Sequence, residues 1–128
     1  MSSAVLDASA LLALLNQEAG WQSVAEAVAN GAAISTVNLS EVAAKLIQRS
    51  VPIETVQAAL NPLAMEVVDF DQHLAYRTAQ LHRSTRALGL SLGDRACLAL
   101  AQQLELPAIT ADHAWAKLNL GISVLAIR

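Results

Sequence analysis

The sequence predicts an α/β domain, a three-layer α/β/α sandwich with a mainly parallel central sheet. Three observations point there. Short apolar segments of strand length alternate with longer stretches almost throughout, the longer stretches carry apolar residues at helical spacing, and cap and stop residues punctuate them. Ala4, Val5 and Leu6 read as a short buried strand with Asp7 at its carboxyl end, followed by an apolar helical run over 10–15. Trp21, Val24, Ala25 and Val28 share one helical face, so a helix spans 21–30 and Gly31 stops it. Residues 32–35 form the next strand.

A helix then starts near 36–38 and turns Leu39, Val42 and Leu46 inward, with Ala43 and Ile47 beside them; on that start Glu41 falls in its first turn. Pro52 suits the first position of a helix reaching Leu60, and Asn61 with Pro62 breaks it. After a strand-like segment over 65–70, Asp71 caps a long helix to Leu88, with Leu74, Thr78, Leu81 and Leu88 at helical spacing and Gly89 at its end. Ser91 caps a further helix to Leu104, which carries Asp94 in its first turn. Residues 107–110 form a strand, Asp112 follows it, a short helix-like stretch lies around 115–118, and 122–127 form the last strand.

A chain of 128 residues suits one domain, 1–128, with a core that needs neither disulfides nor a structural metal. Hydrophobic residues make up 55% of it and aromatic ones only 3%, so Ala, Leu, Val and Ile must do the packing. That composition leaves more apolar surface than so small a domain readily hides, and a dimer is expected. Asp7, Asn16, Glu41 and Lys45 interrupt the apolar stretches too often for a membrane span, and no basic segment precedes the amino-terminal one. The expected location is the cytoplasm. Cys97, the lone cysteine, supports no internal disulfide or cysteine-rich metal site and reads as an inert core residue.

The net charge of −3 excludes a broad basic surface of the kind that dominates non-specific binding to a polyanion. Chemistry at a phosphate stays open, because a divalent cation held by carboxylates replaces side-chain positive charge there. A few arginines can then hold the flanks, with Arg77, Arg83, Arg86 and Arg95 as candidates.

In open parallel sheets the working cleft lies beyond the carboxyl ends of the strands. Asp7, Glu41, Asp94 and Asp112 are all placed to reach it. Gathered there without compensation, the four carboxylates would repel one another; a hard divalent cation with oxygen ligands, Mg²⁺ or Mn²⁺, relieves that. Each acid also has a plain structural reading. Asn38 to Glu41 and Ser91 to Asp94 both resemble capping boxes, and Asp112 suits a turn or cap. Asp7 is the hardest to read that way, since an acid inside an apolar stretch costs stability unless paired, hydrated or bound to metal.

At these residues the chain resembles the PIN-domain nucleases, and among them the VapC-like toxins of toxin–antitoxin pairs. The resemblance rests on Val5-Leu6-Asp7-Ala8-Ser9-Ala10-Leu11-Leu12, on Ser35-Thr36-Val37-Asn38-Leu39-Ser40-Glu41-Val42, on 90–101 around Gly93-Asp94-Arg95, and on Ile109-Thr110-Ala111-Asp112. These blocks span nearly the whole chain, and their order and setting make the signal specific where each alone is weak. The resemblance implies a parallel sheet flanked by helices, Mg²⁺ or Mn²⁺, endoribonuclease activity on RNA, a homodimer, and inhibition by a cognate antitoxin protein. It assigns Asp7, Glu41 and Asp94 as central metal ligands, Asp112 as the more variable fourth acid, and Ser9 and Thr110 as supporting hydroxyls. Relatives often carry a further acid shortly after the fourth; this chain has His113, Ala114 and Trp115 there, which leaves one or two ions open.

On this reading one ion lowers the pKa of a bound water and holds a non-bridging phosphate oxygen, with Asp112 orienting water or completing the shell. Arg95 follows Asp94 and has two readings, a phosphate contact or a local ion pair with Glu41 or Asp112. His73 and His82 do not share a helical face at ligand spacing, and His113 reads as a turn residue beside Asp112. Trp21 and Trp115 read as core or interface rather than base-stacking groups. Two alternatives stand beside the nuclease: a catalytically inactive PIN-like module that grips RNA or protein, and an aspartyl-phosphate phosphatase on Asp7. The phosphatase lacks its helper acid two residues on, where Ser9 stands.

Overall fold

The structure is a computed structural model and describes residues 2–128. Five strands, β1 (Ala4–Leu6), β2 (Ala32–Ser35), β3 (Glu66–Val68), β4 (Ala108–Thr110) and β5 (Val124–Ala126), form one parallel sheet in the order β3-β2-β1-β4-β5. The connections carry helices α1 (Ala8–Asn16), α2 (Trp21–Ala29), α3 (Thr36–Gln48), α4 (Ile53–Leu60), α5 (Gln72–Gln80), α6 (His82–Thr85) and α7 (Leu92–Leu104). None of the described helices is long and apolar enough to cross a membrane.

The three central strands are buried along their whole length, which is why they read as unbroken apolar runs rather than alternating ones. Their side chains still alternate between faces. Val5, Ala33 and Ala108, in register across the sheet, join Leu74, Leu81, Leu98, Leu100 and Trp115 on one side. Ala4, Leu6, Ala32 and Ile109 pack with Ala10 and Val24 on the other, where Ile34 meets Leu11, Val42 and Val56. Helices α5 and α7 therefore cover one face, and α1 to α4 the other. Each fully buried Leu or Ile of this set contributes roughly 1.5–3 kcal/mol by leaving water. The many alanines in the strands let the helix layers approach closely.

Three elements depart from expectation. The long helix over 72–88 is broken at Leu81 into α5, α6 and a 3-10 turn (Arg86–Leu88). At the break Leu81 N–H donates to Thr78 O, while the Thr85 and Ser84 hydroxyls donate to Leu81 O at 2.8 and 3.3 Å; hydroxyls that share helix carbonyls in this way bend the chain. Pro52 is the N-cap of α4, not its first residue. Helix α3 starts at Thr36 because Ser35, the last residue of β2, is also its cap and accepts Val37 N–H at 3.2 Å. Glu41 therefore sits in the second turn and not the first, where it caps no backbone amide.

Candidate active site

Asp7 leaves the carboxyl end of β1 and caps α1, its Oδ1 accepting Ala10 N–H at 2.8 Å. The side chain is only 4% exposed. Two hydroxyls complete its surroundings: Thr110, at the end of neighbouring β4, donates to Oδ2 at 2.6 Å, and Ser9 donates to Oδ1 at 2.7 Å. Burial pushes the Asp7 carboxyl above its ordinary value; the bonds from Thr110, Ala10 and Ser9 oppose that, and nearby Asp94 adds to it. Both hydroxyls also accept, Ser9 Oγ from Ala111 N–H at 2.9 Å and Thr110 Oγ1 from Asp112 N–H at 3.0 Å. They thereby tie Asp7 to the segment that carries Asp112, whose Oδ1 caps the next turn by accepting Ala114 N–H at 3.0 Å.

The other two acids meet where α3 passes the start of α7. Asn38, one turn before Glu41 and 1% exposed, donates through Nδ2 to Glu41 Oε1 at 2.8 Å and to Gly93 O at 2.9 Å. Gly93 lies directly under the Glu41 carboxylate, so that a Cβ on it would collide with both carboxylate oxygens. Asp94 follows, in a full capping box: its backbone N–H donates to Ser91 Oγ at 3.2 Å and its Oδ2 accepts Ser91 N–H at 3.0 Å. Replacing Ser91 by Ala is expected to cost about 1 kcal/mol of stability, read as a lower urea midpoint with unchanged slope. The capping reading of Asp94 is thus correct as geometry, and it uses one of the two oxygens.

Asp7, Glu41, Asp94 and Asp112, from four separate segments, line a single open cavity of about 490 Å³ together with Ser9, Leu12, Lys45 and Gln48. Among the described residues no three acid, histidine or cysteine side chains close into a ready-made ligand cluster. Each carboxylate is engaged by a partner on its own segment, and Asp7 by Thr110 as well. Glu41 Oε2, Asp94 Oδ1 and Asp112 Oδ2 have no such partner among the described residues. A carboxylate has about four lone-pair sites, so these hard oxygen donors have the chemistry that a divalent cation such as Mg²⁺ or Mn²⁺ takes. Beneath it Cys97 is fully buried, and burial together with Asp7, Asp94 and Glu41 holds its thiol well above the usual range, protonated and inert.

The arginines expected at the flanks fall elsewhere. Arg95 lies outside the cavity lining and donates to Thr78 O at 3.4 Å, which makes it neither a phosphate contact in the pocket nor a partner of Glu41 or Asp112. It turns that way because its place on α7 faces α5. Arg77 donates to Gln102 at 3.0 Å. Arg83 and Arg86 are exposed, as are His73, His82 and His113, while Trp115 is fully buried and Trp21 partly so. Sequence reading passed over Asn38, Gly93 and Lys45. The one available signal was spacing, with Asn38 and Lys45 a helical turn on either side of Glu41 and a glycine in the first turn of a helix.

A family model described as PIN domain matches residues 4–120. Curated proteins gave no sequence match. Among solved structures, a chain of a toxin–antitoxin complex from Klebsiella pneumoniae is similar at TM-score 0.77 and 24% identity, with 98% of each chain covered. VapBC-5 of Mycobacterium tuberculosis, from the VapBC family of toxin–antitoxin systems, is similar at TM-score 0.63 and 26% identity, covering 100% of this chain and 99% of that one. VapC20 of the same organism, a sarcin–ricin loop cleaving toxin, is similar at TM-score 0.73 and 17% identity, covering 94% of this chain and 99% of its own.

Proposed function

The chain belongs to the PIN domain family, and from that premise we propose that it is a metal-dependent endoribonuclease, the toxin of a toxin–antitoxin pair, acting in the cytoplasm. The observation that carries the reading is the arrival of Asp7, Glu41, Asp94 and Asp112 in one cavity from four segments far apart in sequence. Mg²⁺ or Mn²⁺ supplies, when bound, positive charge at the phosphate and a lowered pKa for water. Asp7, Asp94 and Glu41 are its proposed ligands. Ser9 and Thr110 aim the Asp7 carboxylate and favour its charged form, offsetting part of the cost of burial. Asp112, the most exposed of the four with Glu41, orients attacking water or completes the shell.

An apolar groove of about 440 Å³ between α3, α4 and β3, with Ile53 and Val67 about half exposed, supports the expectation of a protein partner, either the antitoxin or a second copy.

Incubating the homogeneous protein with a mixed RNA pool is expected to give cleavage that requires added Mg²⁺ or Mn²⁺ and stops with chelator. Equal cleavage in chelator would reject the metal reading. RNA binding without cleavage under any divalent ion would instead favour the inactive binding module.

A further inference from the structure

Two open cavities meet at Ser9 and Asp112. One is the carboxylate pocket, bordered on the α3 side by Lys45 and Gln48. The other is lined by Ser9, Ala111, Asp112, His113 and Arg128, and the cleavage reading makes no use of it. Arg128 is held at that place by built contacts. Ile127 N–H donates to Thr110 O at 2.9 Å, and the Ile127 backbone lies so close to Gly20, at φ +89°, that any Cβ there would collide. Glu18 then holds the guanidinium at 3.7 Å, the one ion pair among the described residues.

Both partners of that pair are about two-fifths exposed (41% and 42%), so it is weak and exchangeable. A guanidinium has five N–H donors and can take a phosphate while keeping a carboxylate. Lys45, one turn beyond Glu41, has no carboxylate within ion-pair distance among the described residues. Lys45 thus borders the cavity of the four acids on its α3 side, and Arg128 lines the cavity that adjoins it at Ser9 and Asp112. Phosphates flanking the one being cut meet a site whose own charge is negative until a cation binds, and they need positive partners just outside it.

We propose that the RNA backbone crosses the carboxylate pocket from Lys45 to Arg128, with a phosphodiester on each side of the scissile one held by these two cations. The proposal rests on the ribonuclease reading and adds the path of its substrate.

The test is binding of a fluorescent single-stranded RNA oligomer to the full chain, with Ca²⁺ in place of Mg²⁺, titrated with salt from about 50 to 200 mM. Lys45→Gln and Arg128→Gln are each expected to weaken binding roughly three- to tenfold and to lower the slope of log K against log salt by about 0.7. Glu18→Gln, which frees the guanidinium, is expected to tighten binding. Arg49→Gln, at the exposed end of α3 and outside both cavities, changes neither quantity, and Mn²⁺ affinity is not weakened in the Lys45 or Arg128 variants. Unaltered affinity and slope in both cation variants, with wild-type protein binding RNA normally, overturn the path and leave the metal-dependent reading standing. A wild-type protein that binds no RNA overturns the ribonuclease reading itself.

Discussion

Replacing Asp7 with Asn is expected to abolish cleavage and, in the same molecule, to stabilise the metal-free protein. The loss should be about a thousandfold or more, about 4 kcal/mol of barrier, because the variant removes a charged ligand from the proposed metal site. The gain has the opposite origin. Asp7 is buried, its carboxyl is raised by that burial, and its ionised form is the costly one. Asn keeps the N-cap geometry over Ala10, and the rotatable hydroxyls of Ser9 and Thr110 can accept from its amide. The expected stabilisation near neutral pH is about 1 kcal/mol.

The sign follows from proton linkage. A carboxyl raised in the folded state binds more protons folded than unfolded between its ordinary value of 3.8 and the raised one. Its contribution to stability is therefore fully present below 3.8 and is lost as pH rises through the folded value. The advantage of Asp7→Asn over wild type should shrink as pH falls through that window. Urea unfolding of both proteins in chelator across acid and neutral pH measures it. A variant that is less stable than wild type at neutral pH would show that Asp7 serves the fold and not a cation. Added Mn²⁺ should reverse the order, stabilising wild type and leaving the variant unmoved.

The elements that could be read from the sequence are those whose cause is local. Strands β1, β2 and β4 announce themselves because a strand buried on both faces is apolar along its length, with polar Ser35 and Thr110 only at the carboxyl ends of β2 and β4. The settings of Asp7, Asp94 and Asp112 are legible because Asp7 and Asp112 cap the helix or turn that follows and Asp94 completes the capping box of its own helix with Ser91, and caps are short-range. Glu41 was assigned to the wrong turn. Ser35 serves both as the end of β2 and as the cap of α3, and the Asn38-x-x-Glu41 spacing imitates a capping box while performing a different task. The break at Leu81 was hidden for a similar reason, since Thr85 and Ser84 keep helical spacing while their hydroxyls act on the backbone. The direction of Arg95 is not legible, because it depends on how α5 packs on α7. That the four acids share a cavity is a property of strand order, which places β4 beside β1 and brings α3 to α7; no local pattern contains it.

Gly93 is the clearest case of a residue whose role exists only in three dimensions. Substituting Ala, ordinarily a gain of about 1 kcal/mol within a helix, puts a methyl group where the Glu41 carboxylate lies. The carboxylate must swing away and give up its bond from Asn38, while Asn38 keeps Gly93 O as an acceptor. The expected result is a loss of about 10- to 100-fold in Mn²⁺ affinity and in cleavage, the size typical of groups that orient a ligand, with global stability changing by less than about 1 kcal/mol. Glu41→Gln tests the route. If Gly93 acts by positioning Glu41, the Gly93→Ala/Glu41→Gln double variant is no worse than the poorer single one, because both changes remove the same interaction. Fully additive losses would mean that the methyl group disturbs the start of α7 and Asp94 instead. Wild-type metal affinity in Gly93→Ala would mean that the Glu41 carboxylate binds its ion from some other position, and that the Asn38 and Gly93 bracket does not set it.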